Sequence, residues 1–330
     1  MGGLATSSPG SFPFSGRCFA SATRSPTPSS RGGTWPGAPG ARGSTWHGVS
    51  GSGPPSWGAR APPHGFSVAS EARTLTLRLG IEFDGTEFRG WQVQPRDRTV
   101  QGEIEQAIWR VTGARVRIAG AGRTDSGCHA AGQVASATLN TRLTPERLRA
   151  ALNAHLPPDI RIVEAAEAEP RFHARYRAMR RAYRYLIVPQ PSALKRRYAW
   201  TRPIRADLEA LRSASRPLLG RHDFVSFSKQ GGDDGGTVCA VTHAGWSRRG
   251  RVTRFDIVAD RFLYTMVRRI VSTTIRAAEE SGGAKAIREV LEARDRRAAA
   301  PPAPAHGLYL MRVRYPGLGW LPKERLDVVA

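Results

Sequence analysis

Gly120-Ala121-Gly122-Arg123-Thr124-Asp125-Ser126-Gly127-Cys128-His129-Ala130 is the stretch on which the reading of this chain turns. Two glycines precede the aspartate and a third follows it. Val116 and Ile118 suggest a short strand before the stretch, and another strand is predicted around residues 132–139. A tight loop between two strands therefore presents one carboxylate. A phosphate-cradling loop is the first rival reading, and it fails. The dinucleotide fingerprint needs Gly where Asp125 stands, and the P-loop needs a following Lys-Ser/Thr. The second rival is that Asp125 only supports a turn, the commoner role of an Asp beside Gly. Spacing alone favours that blander reading.

The flanking sequence alternates between strand and helix signals. Leu75, Leu77, Leu79 and Ile81 alternate with Thr76, Arg78 and Gly80, a strand pattern. Thr99 caps a predicted helix whose Val100, Ile104, Ile108 and Val111 form one apolar stripe. Thr144-Pro145 predicts a second helix, running to about His155, and residues 160–163 return as a strand. Beyond that, residues 183–188 read as a strand and 206–219 as a helix. Phe255, Ile257 and Ala259 alternate in a further strand. A long helix is expected from about Phe262, and a strand over 307–315 closes the chain. The fold class is α+β, two α/β halves with a seam near residue 170. Residues 73–170 hold the aspartate loop and 171–330 form the second half.

Residues 1–72 differ in composition. They are rich in Gly, Pro and Ser and show neither helix nor strand periodicity, so they read as a disordered extension. An organelle transit peptide is acid-poor and Arg-bearing in the same way, but the many prolines and glycines oppose the amphipathic helix it needs. A basic RNA-binding arm and a start codon placed too far upstream are the other readings, and the last is preferred over targeting. Across the chain, 50 Lys+Arg face 27 Asp+Glu, a net charge of +23. Five of those basic residues and one acid lie in 1–72, so +19 remains without them. Such a field points to polyanions, nucleic acid first and acidic membrane second. Only four of the basic residues are lysines, a skew that a GC-rich genome also produces. No run approaches the roughly 18 apolar residues of a membrane span. Cys18, Cys128 and Cys239 stand far apart without a CxxC, against structural zinc and a disulfide framework. A reducing cytoplasm fits that usage.

Two further constellations carry chemistry. Residues 171–185, Arg-Phe-His-Ala-Arg-Tyr-Arg-Ala-Met-Arg-Arg-Ala-Tyr-Arg-Tyr, interleave six arginines with four aromatic rings and a histidine. Arginines such as Arg175 and Arg181 neutralise phosphates while rings stack on unpaired bases. A solvated basic strand with core-facing tyrosines explains the segment equally well. In Phe262-Leu263-Tyr264-Thr265-Met266-Val267-Arg268-Arg269-Ile270-Val271, Arg268 lies about 200° round the helix from Met266. It points away from the core stripe, to solvent or a cleft, and alone it reads as a surface arginine.

In order along the chain, these motifs resemble the tRNA pseudouridine synthase A family. The resemblance runs from about Leu75 to Tyr315 and is carried by Leu79-Gly80-Ile81-Glu82-Phe83-Asp84-Gly85-Thr86, Gly90-Trp91-Gln92, Thr99-Val100-Gln101 and, most specifically, Gly122-Arg123-Thr124-Asp125. Phe172-His173-Ala174-Arg175, Tyr183-Arg184-Tyr185, His222-Asp223-Phe224, Met266-Val267-Arg268 and Gly307-Leu308-Tyr309-Leu310 follow in the family's order. Ser126 and Cys128 depart from its usual Ala and Val, Ser272 from its Gly, and Cys239 stands near a usual Arg. The resemblance implies two duplicated α/β domains around a basic cleft, and a homodimer gripping tRNA at the anticodon arm. It implies Asp125 as the catalytic carboxylate with Arg123 beside it, Tyr183 stacking on the target base, Arg268 paired with Asp125, and Leu308 lining the apolar wall. The reaction breaks N1–C1′, turns the uracil and rejoins it through C5. No redox change occurs, so no cofactor and no metal are expected. An ionised carboxylate held by an arginine can attack the base, attack the sugar or remove a sugar proton. A non-catalytic RNA-binding protein on the same fold is the alternative.

Overall fold

The computed structural model describes residues 72–231 and 235–322. The extension assigned to 1–72 lies outside the described residues except for its last position. The opening strand, β1 (Arg73–Phe83), buries the five apolar side chains of its alternating set, Leu75 to Phe83. They pack with Val100, Ile104 and Ile108 of α1 (Val100–Thr112) and with Leu148 and Leu152 of α2 (Pro145–His155). Thr99 caps α1 by accepting the Gly102 amide at 3.3 Å, and Thr144 caps α2 from the Arg147 amide at 3.4 Å. Both caps satisfy amides that a helix start leaves without a partner. Between the helices lie β2 (Ala119–Gly120) and β3 (His129–Thr141), and β4 (Ile160–Glu167) follows α2.

The second half continues with β5 (Arg180–Val188), β6 (Trp200–Thr201), α3 (Leu208–Ser215), β7 (Gly220–Asp223), β8 (Val238–Arg249) and β9 (Val252–Ala259). Then come α4 (Met266–Glu279), α5 (Gly283–Ala293), β10 (Leu308–Tyr315) and β11 (Gly319–Leu321). The helix starting near Phe262 in the sequence reading starts instead at Met266. Thr265 adopts a left-handed φ of 61° and breaks the chain there, although the apolar spacing runs on. Neither β8 nor α5 stands out in the sequence. In β8 a register shift between Val241 and His243 interrupts the two-residue period. In α5 the apolar triplet Ile287, Val290 and Leu291 is short, and the helix begins at glycines with no capping side chain.

Among the described residues the strands form one mixed sheet in the order β4-β1-β3-β10-β5-β9-β8-β7. Strands of the two halves meet where β3 pairs in parallel with β10, through Tyr309↔His129 and Leu310↔Ala130. One contiguous apolar core runs beneath both halves, from Leu79 and Ile104 to Tyr185, Phe255 and Ile270. His129 fastens the junction. Its ring stacks on Tyr309 at 4.8 Å, its Nε2 lies 3.0 Å from the Arg197 carbonyl and 3.2 Å from that of His306, and its Nδ1 takes the Gly85 amide at 3.0 Å. The aspartate loop ends at this residue, in mid-sheet. No helix among the described residues is long and apolar enough to cross a membrane.

Candidate active site

The loop from Ala121 to Cys128 is held from both sides. Its first leg is tied to β3 by the Ala121 amide donating to Val134 O (2.7 Å) and by Gln133 Nε2 donating to Gly122 O (2.7 Å). Its second leg is tied to the 85–91 turn. The Trp91 amide donates to Thr124 O at 3.1 Å, while the Gly127 amide and Ser126 Oγ both donate to Phe88 O, at 3.3 and 3.1 Å. Cys128 N–H closes the turn on Asp125 O at 3.1 Å. Gly90 permits this approach. Its φ is +91°, and a Cβ there would lie 2.7 Å from Thr124 O, so a side chain would displace the loop.

Asp125 therefore sits in a fixed backbone, and its carboxylate meets an arginine. Arg268, in the first turn of α4, donates from Nη1 to Asp125 Oδ2 at 2.8 Å. The two side chains are 17% and 18% exposed, so the pair is shielded yet reachable. Arg268 Nε donates to Ala303 O at 2.6 Å, which fixes the guanidinium plane. The helical angle that reads as a surface position in the sequence delivers the arginine to the loop.

Tyr183 on β5 is buried and packs edge-on to Phe262, with ring centroids 4.9 Å apart and planes at 80°. Its hydroxyl faces the loop: a Cβ on Gly122 would lie 3.4 Å from it. Burial pushes the phenol above its ordinary range, so it stays neutral. Leu308, the first residue of β10, is also buried and pairs with Tyr185 of β5, two residues along from Tyr183. Burial first, and the Asp125 charge second, push the Cys128 thiol up, which removes it as a nucleophile.

The arginines divide. Arg123 is exposed and has no partner among the described residues. Arg175 is exposed, and its guanidinium lies 5.7 Å from the centroid of the Tyr176 ring. Arg181 faces inward, its guanidinium committed to backbone carbonyls. Sequence reasoning missed Gln133, fully buried on β3 beneath the loop. The signal was an amide flanked by Ala131, Gly132, Val134 and Ala135, since a buried polar side chain needs a partner. It also gave Phe262 no part, yet that ring backs Tyr183.

A carboxylate paired with an arginine in a loop beside a buried aromatic ring, in a chain of high positive charge, suits acid–base or nucleophilic chemistry on a polyanionic substrate. The tRNA pseudouridine synthase family profile matches residues 80–177 and 214–316. A tRNA pseudouridine synthase A of Acetivibrio thermocellus is 42% identical over 241 residues, 72% of this chain and 99% of that protein. The protein of the same name from Chlorobaculum tepidum is 43% identical over 241 residues, covering 73% and 98%. That of Moorella thermoacetica is 43% identical over 243 residues, covering 72% and 99%. The chain belongs to the tRNA pseudouridine synthase family, isomerases that convert uridine to pseudouridine in tRNA.

Proposed function

We propose that this chain isomerises uridines of the tRNA anticodon arm, with Asp125 as the essential carboxylate. The observation that carries the reading is the Asp125–Arg268 pair, 2.8 Å apart and largely shielded in the loop that leads into β3. A binder of polyanions gains nothing from a fixed carboxylate there. An isomerase needs it as nucleophile or base while the N1–C1′ bond breaks and the C5–C1′ bond forms. C5 loses its proton as the ring's conjugation returns, and N1, freed from C1′, takes up a proton, so that substrate and product are isomers. Residues 73–170 act as the half bearing the aspartate, and 171–330 as the half that completes the site.

The other residues follow from the same reading. The uridine must leave its stack to reach Asp125, and the Tyr183 ring replaces the lost stacking. Leu308 walls the pocket. Arg123 stands exposed beside Asp125 in the same loop, and Arg175 meets phosphate. The enzyme works in the cytoplasm as a homodimer that grips one tRNA, a mass that light scattering reads directly. Mapping pseudouridine by carbodiimide-blocked primer extension on unmodified tRNA tests the substrate site. Stops confined to the anticodon arm support it, and stops elsewhere on the tRNA would overturn it. Tyr183→Phe is expected to keep the wild-type rate within a few-fold and Tyr183→Leu to lose about tenfold, near the 1–3 kcal/mol of a base–aromatic stack. Equal single-turnover rates for the two variants would remove the stacking role.

A further inference from the structure

Arg181 makes hydrogen bonds that the proposed chemistry does not use. Its Nε and Nη2 donate to Ala121 O at 3.2 and 2.9 Å. Nη2 also donates to Arg175 O at 2.8 Å, and Nη1 donates to Asp260 O at 2.7 Å and Ala178 O at 3.2 Å. One guanidinium thus joins three separate pieces of chain: the first leg of the aspartate loop, the 175–178 segment and the end of β9. Ala121 lies immediately before Gly122-Arg123-Thr124-Asp125. The 175–178 segment holds out Tyr176, whose ring is 76% exposed and stands against His173 at 4.3 Å and Arg175 at 5.7 Å.

Among the described residues no carboxylate pairs with Arg181, and burial draws its affinity for the proton down. A cation placed inward with no carboxylate at ion-pair distance, the Asp260 charge acting only from further off, is costly. An apolar side chain would fill the space at lower cost, so tethering the four carbonyls is what the arginine adds. The planar fork reaches carbonyls spread around one plane, whereas a lysine ammonium offers three donors from a single point.

We propose that Arg181 is a positioning residue: it sets the Asp125 loop at a fixed distance from the Arg175-Tyr176 knuckle, which holds an unpaired nucleotide of the RNA. The assignment rests on the isomerase reading for its consequence, and on the hydrogen bonds alone for its geometry. Arg181 touches neither Asp125 nor any reacting atom. A displacement of about 1 Å between loop and knuckle would cost on the order of 10²-fold in rate.

Arg181→Lys tests this against Arg202→Lys. Arg202 makes a comparable tie, Nη2 to Glu279 at 2.5 Å, but at the far end of α4, roughly 16 Å along the helix from Arg268. Arg181→Lys is expected to lower kcat about 10²-fold, while Arg202→Lys with a similar loss of Tm stays within about twofold of wild type. Hydrogen exchange of the free protein gives a second readout that needs no turnover. In Arg181→Lys the amides of Ala121, Gly127 and Cys128 exchange faster together with that of Arg177, and in Arg202→Lys they do not. Unchanged exchange at these amides, or kcat losses equal in the two variants, would overturn the assignment. A wild type that binds tRNA without isomerising it sinks the isomerase reading instead, and the exchange result still decides the tether.

Discussion

Replacing Asp125 by asparagine is expected to abolish pseudouridine formation while leaving tRNA affinity within a few-fold of wild type. Asparagine has nearly the same shape and still accepts a hydrogen bond from Arg268 Nη1, so the loop keeps its conformation. The backbone bonds of Thr124, Gly127 and Cys128 do not involve the carboxyl group. An amide, however, is neither a nucleophile nor a base near neutral pH. Losses of about 10⁴-fold or more accompany removal of such a group from other enzymes. Affinity behaves differently because phosphate contacts dominate it, and Asp125 supplies none. Removing one negative charge from a basic surface leaves the salt dependence of binding unchanged or binding slightly tighter. Single-turnover rates and filter-binding titrations on the same variant separate the two quantities. A variant retaining more than a few per cent of the wild-type rate would sink the assignment.

Arg268 is the second position where a large effect is expected. Its Nε and Nη1 hold Ala303 O and Asp125 Oδ2 at once, at 2.6 and 2.8 Å. A lysine cannot span both, because its donors diverge from one nitrogen. Arg268→Lys should keep the charge near Asp125 but lose its orientation, costing on the order of 10²-fold in kcat. Arg268→Gln also removes the counter-charge, leaving a largely shielded carboxylate unpaired. Such a loss costs about 3 kcal/mol in fully buried pairs and less at this exposure. The glutamine variant should therefore be both slower and less stable than the lysine variant. Thermal melts with single-turnover assays check the order. A lysine variant as fast as wild type would show that charge alone suffices and that the Ala303 bond has no part in catalysis.

The aspartate loop and the strands around it were legible because their signals are local. Glycines at 120, 122 and 127 bracket the carboxylate, and Leu75 to Ile81 alternate without interruption. Thr99 and Thr144 mark their helices through hydroxyls that cap amides three residues on. What stayed hidden depends on distant chain. The break at Thr265 is a backbone event inside a continuous apolar pattern, and nothing in residues 262–266 announces it. The register shift in β8 erases the two-residue period that would mark a strand. Arg175 and Arg181 look alike in the sequence, six residues apart in one basic run. Only packing sends the first outward to Tyr176 and the second inward to four carbonyls. Composition points to a polyanion partner, but it does not sort arginines that meet phosphate from arginines that hold the chain.

Tritium release from tRNA labelled at C5 of uridine tests the central claim most directly. C5 loses its hydrogen only when the base is rejoined through carbon, so release reports the isomerisation itself. The account predicts release by the wild-type chain, matching the pseudouridine formed, and none above background from Asp125→Asn. Tight tRNA binding with no release from the wild type would contradict it and identify a non-catalytic RNA binder on the same fold.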